Sequence, residues 1–210
     1  MNISKQVQNL SKKLSGKIYY EYDMRHLNWF NVGGPAKVLF KPKNLKELSI
    51  FLKEIKIIKE IKEIKVLGAG SNTLIRDGGF NGIIIRLGPS FSRMSKLDSN
   101  SLICGASALD KQVSKFALNN SLSGFEFFSC IPGSVGGAIR MNAGCYDYDV
   151  SKCIASIQVV NYQGIVRSIK AEKINFFYRG SDLSEDLIFL SATFKGIKQD
   201  SKKIKETTQK

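Results

Sequence analysis

The sequence predicts an α+β fold arranged as two lobes, and three observations lead there. Apolar residues recur at helical spacing in some stretches and as short strand-like runs in others, without the regular βαβ period of a doubly wound sheet. Of the 210 residues, 43% are hydrophobic and 24% charged, the balance of a packed globular chain rather than a disordered or fibrous one. Glycine-rich segments interrupt the pattern three times. The lobes are expected to meet between about residues 87 and 101.

Residues 1–26 read as an N-terminal arm, lysine-bearing and without the apolar core of a secretory signal. A strand is expected at residues 36–41, ended by Pro42 because proline donates nothing to a ladder. A helix over residues 44–64 follows. Leu45, Leu48, Phe51, Leu52, Ile55 and Ile58 form its apolar stripe, and Asn44 with Glu47 three residues on makes a capping-box-like start. Further strands are expected at 64–67, 82–87 and 102–105, then a short amphipathic helix at 107–119 carrying Leu109, Val113, Phe116 and Ala117. Residues 157–169 read as a hairpin turning at Gln163-Gly164. Residues 172–176 read as a helical turn and 187–194 as a buried strand. The remainder, 196–210, is a polar, lysine-rich tail with no core of its own.

Several function classes drop out early. The formal net charge of +14 is spread thinly, and lysines sit beside glutamates, as in Lys53-Glu54 and Lys62-Glu63. That is a solvated surface rather than a groove-facing basic patch, so nucleic acid is not an expected partner. No apolar run approaches the roughly 20 residues of a membrane-spanning helix, so no membrane is expected either. Cys104, Cys130, Cys145 and Cys153 show no CxxC spacing, and free thiols in a reducing cytoplasm are the expectation. His26 is the single histidine, which leaves little for a His-rich metal site or a Ser-His-Asp triad. No metal is expected.

The glycine segments are the candidate chemistry. They are Asn31-Val32-Gly33-Gly34-Pro35-Ala36, then Gly68-Ala69-Gly70-Ser71-Asn72 after a strand, then Ile131-Pro132-Gly133-Ser134-Val135-Gly136-Gly137-Ala138 followed by Met141-Asn142-Ala143-Gly144. Glycine permits close backbone approach, so successive N–H groups can converge on an anion such as a pyrophosphate. Each segment alone could equally be a turn. The dinucleotide fingerprint fails because Thr73 stands where its third glycine belongs, and no Gly-Lys-Ser/Thr completes a P-loop. Any dinucleotide cradle here is therefore neither of those two.

In order, Trp29-Phe30-Asn31-Val32-Gly33-Gly34-Pro35-Ala36, residues 68–72, Gly124-Phe125-Glu126-Phe127, residues 131–138, Met141-Asn142-Ala143-Gly144 and Phe177-Tyr178-Arg179-Gly180-Ser181 resemble one family closely. It is that of the bacterial UDP-N-acetylenolpyruvoylglucosamine reductases, also called UDP-N-acetylmuramate dehydrogenases. The resemblance covers residues 27–195. It implies a two-lobed FAD-binding fold of the vanillyl-alcohol oxidase/PCMH type, with lobe 1 at about 27–87 and lobe 2 at about 101–195. It also implies a cytoplasmic enzyme of peptidoglycan precursor synthesis. Such an enzyme uses NADPH as reductant and FAD as cofactor to reduce the enolpyruvyl group of a UDP-sugar substrate.

Carried over residue by residue, Gly68, Ala69, Gly70, Ser71 and Asn72 would be the phosphate loop. Gly133, Ser134, Gly137, Asn142, Ala143 and Gly144 would line the second-lobe part of the cofactor site. Arg179 matches the catalytic arginine, whose planar, always-charged fork suits a carboxylate gathering negative charge. Tyr178 would help position substrate. His26 precedes the phosphate loop and matches no covalent attachment point, so noncovalent FAD is implied.

Two local departures stand out. Asp147 occupies a position where the family usually has glycine, and Arg140 one usually uncharged. The larger departure is that the family continues into a further substrate-binding domain. That domain brings a Ser or Cys proton donor in a Gly-Ser-Phe-Phe-like motif and a late glutamate, and neither has a counterpart after Lys195. The expectation is therefore a flavin module with one of three catalytic groups. It would be either the reductase completed by a separately encoded C-terminal domain, or an FAD-binding remnant or subunit without reductase activity of its own.

Overall fold

The computed structural model describes residues 7–8, 10–56 and 63–209. They form two compact units, Met1–Ser90 with Val160–Ile165, and Phe91–Val159 with Val166–Lys210.

The first unit is built on a four-stranded sheet of β1 (Lys17–Asp23), β2 (Pro35–Lys41), β3 (Ile64–Val66) and β4 (Phe80–Ile85), in the order β1-β2-β4-β3. β1 is antiparallel to β2, with Tyr20 opposite Val38, whereas β2 and β3 both run parallel to β4. Inside the stretch read as an arm, residues 17–23 are thus an edge strand. Ile18, Tyr19, Tyr20 and Tyr22 are all only half-buried. The strand therefore shows no alternation, and its pairing with β2 is what defines it.

Helix α1 (Leu45–Ile55) starts where its cap requires, the Asn44 side-chain oxygen accepting from the Glu47 N–H at 3.0 Å. Leu48, Phe51 and Leu52 are fully buried, and the Phe51 ring stacks on Phe40 at 4.0 Å between centroids. Each such side chain contributes roughly 1.5–3 kcal/mol by leaving water. The helix ends at Ile55, short of the periodic pattern. Ile58 lies outside the described residues, and Ile64 opens β3 instead of closing the helix.

The second unit contains, in order, β5 (Met94–Lys96), β6 (Ser101–Gly105), α2 (Asp110–Asn119), β7 (Leu122–Ser123), α3 (Val135–Arg140), β8 (Gly144–Cys145) and β9 (Tyr148–Asp149). There follow β10 (Ile154–Asn161), whose last two residues and the turn after them are counted with the first unit, then β11 (Val166–Lys170), β12 (Phe176–Phe177), β13 (Gly180–Ser181), β14 (Leu187–Lys195), β15 (Ile197–Lys198) and α4 (Ser201–Gln209). Its main sheet has the order β11-β10-β14-β6-β5. The turn between β10 and β11 sits where the sequence placed it. Gly164 is left-handed at φ +74°, and the Asn161 carboxamide oxygen accepts from the Gln163 and Ile165 N–H groups.

The lysine-rich C-terminal stretch is part of this unit. β15 pairs with β7, and Ile204 of α4 is buried. One isoleucine among polar neighbours makes no periodic stripe, so its burial could not be read from pattern. Arg140 also has a structural task. Its guanidinium donates to the carbonyls of Leu183, Ser184 and Leu187 at 2.8–3.1 Å and lies 4.7 Å from the Phe189 ring centroid. Among the described residues no helix is long and apolar enough to cross a membrane.

Candidate functional site

In the first unit, residues 68–72 leave the end of β3 and press against the segment that follows β1. Gly70 is left-handed at φ +78°, and a Cβ on it would fall 2.1 Å from the Leu27 carbonyl oxygen. The Gly70 carbonyl in turn accepts from the Trp29 N–H at 3.0 Å. Asn28 is buried beneath this contact, donating to the Met24 and Val32 carbonyls at 2.8 and 2.9 Å, while its own side-chain oxygen has no partner. Among the described residues, the N–H groups of 68–74 meet no protein acceptor. Gly68 and Asn72 are exposed, Ala69 and Ser71 half-buried and Gly70 buried. A row of unsatisfied amides on a loop held by its glycine suits an anion.

In the second unit, residues 131–134 run alongside the start of α2. Leu109 and Ser134 form a bridge, the Asp110 N–H donates to the Gly133 carbonyl at 3.2 Å, and Ser134 is buried. The Gly133 and Ser134 N–H groups also meet no acceptor among the described residues. Directly under Gly133 sits the Asp110 carboxyl, which a Cβ on Gly133 would meet at 2.6 Å. It is fully buried, and neither oxygen has a partner. Burial pushes its pKa up to about 8. At neutral pH it is mainly a neutral acid.

Asp110 escaped the sequence reading. The available signal was its place on the apolar stripe of its helix, three and seven residues before the buried Val113 and Ala117.

Asn142, just after α3, ties the start of the 142–145 segment to the Arg179 hairpin. It is buried and left-handed at φ 40°. Its side-chain oxygen accepts from the Ser151 N–H at 3.0 Å and its amide donates to the Phe177 carbonyl at 3.3 Å. Ala143 is buried and Gly144 opens β8. β8 and β9 form a hairpin whose two turn residues, Tyr146 and Asp147, are both left-handed at φ 52° and 57°. Two-residue hairpins favour that conformation, and aspartate tolerates it better than most residues, so the glycine-to-aspartate departure at 147 fits the turn. Gly137 lies exposed on α3, where a Cβ would meet only Ser134 Oγ at 3.8 Å.

Tyr178 and Arg179 are the tip of the β12–β13 hairpin, with Phe177 opposite Gly180. Arg179 is left-handed at φ 58°, and its guanidinium lies 5.5 Å from the Tyr178 ring centroid. Tyr178 is 88% exposed. A long side chain held in that region costs of order 1 kcal/mol, a strain that clusters at functional sites. Within the second unit the structure thus joins residues 142–145 to the 177–181 hairpin through Asn142, while residues 131–134 pack on the start of α2.

In each unit, backbone donors without acceptors on a glycine segment suit a phosphate-bearing group, and in the second unit an exposed arginine on a strained tip suits an acidic one. Residues 36–170 match the family of FAD binding domains, and the chain belongs to that family. Within it, the chain is similar to UDP-N-acetylenolpyruvoylglucosamine reductases. It is 48% identical to that of Pelagibacter ubique (strain HTCC1062) over 199 residues, covering 95% of this chain and 65% of the relative. It is 41% identical to that of Rickettsia canadensis (strain McKiel) over 191 residues, covering 91% of this chain and 63% of the relative. The chain thus spans somewhat less than two thirds of the length of these relatives.

Among solved structures, the reductase from Thermus caldophilus superposes with a TM-score of 0.77 at 26% identity, over 93% of this chain and 67% of that one. A BBE-like 1 protein of Physcomitrella patens superposes with a TM-score of 0.66 at 16% identity, over 91% of this chain and 44% of that one, and shows the shared fold alone. The fold is the α+β, FAD-binding fold of the vanillyl-alcohol oxidase/PCMH type that the resemblance implied.

Proposed function

We propose that this chain holds FAD noncovalently and forms the flavin-bearing part of an NADPH-dependent reductase. Its substrate would be UDP-N-acetylenolpyruvoylglucosamine and its product UDP-N-acetylmuramate, a cytoplasmic step of peptidoglycan precursor synthesis. The observation that carries the proposal is the set of backbone amides at 68–74 and at Gly133 and Ser134 without acceptors, on a chain of an FAD-binding family. Gly68, Ala69, Gly70, Ser71 and Asn72 would hold the pyrophosphate. Gly133, Ser134, Gly137, Asn142, Ala143 and Gly144 would hold the rest of the cofactor. Bound FAD supplies hydride transfer from NADPH to the enolpyruvyl double bond.

Arg179 would bind the substrate carboxylate and stabilise the enolic negative charge that develops there. The arrangement suits that task, because the tip is exposed to incoming substrate while Asn142 anchors the hairpin at Phe177. Tyr178 would position the same group. This sequence holds no counterpart of the family's proton-donating Ser or Cys motif or of its late glutamate. Because the chain spans less than two thirds of the relatives' length, the alternative reading is an FAD-binding remnant or subunit without reductase activity of its own, or one that works with a separately encoded C-terminal domain.

Titration of the chain with FAD, followed by acid release and absorbance of the supernatant, tests the first claim. A bound, acid-released flavin is expected, and a folded sample that takes up none overturns it. Substrate-dependent NADPH oxidation separates the two readings. Turnover that appears on supplying a C-terminal domain of such a reductase and disappears in Arg179→Ala supports the enzyme. A flavoprotein inert in both conditions supports the remnant.

A further inference from the structure

Two thiols meet beside this cluster, and nothing in the proposed reductase chemistry uses either. Cys130 closes the turn Glu126–Cys130, immediately before Ile131, and Cys145 ends β8, immediately after Gly144. The two thiols are close enough to interact, and Cys130 Sγ also lies 3.6 Å from Ser129 Oγ. Packing explains the approach. The 126–130 turn lies against β8, and the Phe127 ring sits 5.3 Å from the Tyr148 ring of β9, pinning the hairpin onto the turn.

Cys130 is exposed and Cys145 half-buried. Burial, then the Cys130 thiol, hold the Cys145 pKa up, against smaller opposing pulls from the Tyr146 backbone N–H and Arg179. Cys104 and Cys153 differ sharply. Both are buried, and burial pushes Cys104 up to about 12 and Cys153 further. A thiol kept protonated and away from solvent is inert to oxidants.

We propose that Cys130 and Cys145 form a peroxide-oxidisable dithiol, in which the accessible Cys130 reacts first and Cys145 resolves it to an intramolecular disulfide. In the first step the Cys130 thiolate attacks one oxygen of hydrogen peroxide. An S–O bond forms, the O–O bond breaks, and the departing hydroxide takes up a proton and leaves as water. In the second, Cys145 gives up its proton and attacks the Cys130 sulfur. The S–S bond forms, the S–O bond breaks, and a second water departs. The two thiols lose two electrons between them, and one peroxide becomes two waters. Closing the bond brings the two sulfurs to about 2.05 Å. The bond would join the segment entering 131–134 to the one leaving 142–144.

The test uses the whole chain with hydrogen peroxide, followed by alkylation under denaturing conditions and peptide mapping. Expected is a mass loss of two hydrogens, with the Cys130 and Cys145 peptides linked, Cys104 and Cys153 alkylated, and the link reversed by dithiothreitol. Cys145→Ser should instead leave Cys130 as a sulfenic acid that dimedone traps. Cys130→Ser should leave Cys145 alkylatable at the same peroxide dose. Should Cys130 of the unsubstituted chain accumulate as sulfenic or sulfinic acid while Cys145 stays free, or cross-link only between chains, the proposal is overturned. The map of the unsubstituted chain reads the outcome even if a variant misfolds.

Discussion

Around the first unit's candidate loop, the left-handed backbone positions fall mainly on glycine, at Gly33, Gly70 and Gly79. In the second unit's cluster they fall on Asn142, Tyr146, Asp147 and Arg179. The difference follows from what lies next to each position. Gly70 has the Leu27 carbonyl oxygen 2.1 Å from where a Cβ would sit, so another backbone already fills the space. Asn142 uses its side chain to join Ser151 to Phe177, and Arg179 presents a guanidinium at an exposed tip. There the strain of about 1 kcal/mol is offset by what the side chain does. One region is shaped by backbone contact, the other by side-chain clamps.

The largest expected effect breaks the first region. Gly70→Val should destabilise the cofactor-free chain by more than about 3 kcal/mol, because the Cβ clash adds to a φ of +78°. Gly137→Ala, on the open face of α3, should leave the chain as stable or up to about 1 kcal/mol more so. Urea unfolding measures both. Equal stabilities for the two variants would erase the contrast. Because Gly137→Ala should fold normally, any loss of FAD affinity in it reports on the cofactor site itself.

Next comes the buried acid of the second unit. Asp110 has a folded pKa of about 8, against roughly 3.9 in an unfolded chain. Between those values the folded state keeps a proton that the unfolded state has lost. Stability should therefore fall as pH rises from about 4 to about 8 and level off above. Asp110→Asn removes that slope and should stabilise the chain by about 2–5 kcal/mol at pH 8, with little effect near pH 4. Thermal unfolding across pH shows whether the two curves converge at acid pH, and parallel curves would reject a buried neutral acid.

Smaller effects sharpen the idea of side-chain clamps. Arg140→Met keeps an apolar stem against Phe189 but abandons three carbonyls, and should cost about 2–3 kcal/mol by denaturant titration. Arg179→Gly works the other way. It should raise stability by about 1 kcal/mol by relieving the left-handed strain, while abolishing any substrate-dependent turnover. A stability loss in that variant would mean that Arg179 supports the hairpin rather than straining it.

Features made by contacts a few residues apart were legible in advance. Asn44 caps α1 through Glu47, three positions on, and Gly164 turns the β10–β11 hairpin within a single loop. The glycine segments and the order of motifs through Phe177-Tyr178-Arg179-Gly180-Ser181 were equally plain, and they carried the flavin-binding expectation. The candidate site was legible as a set of segments, but not the bond by which Asn142 joins the third of them to the Arg179 hairpin.

By itself, then, the sequence determined the helix cap, the hairpin turn, the α+β class and the residues available to a phosphate-bearing cofactor, because capping, turn chemistry and motif spacing act over short stretches of chain. Only the tertiary structure decided that residues 17–23 become a strand, that Ile204 closes α4 onto the second unit, that Arg140 caps three carbonyls more than forty residues away, and that the Asp110 carboxyl is buried without a partner. Each of those outcomes depends on which distant segment comes to lie alongside. An edge strand, a lone buried isoleucine and an unpartnered acid leave no period in the sequence, since their energy comes from groups far along the chain.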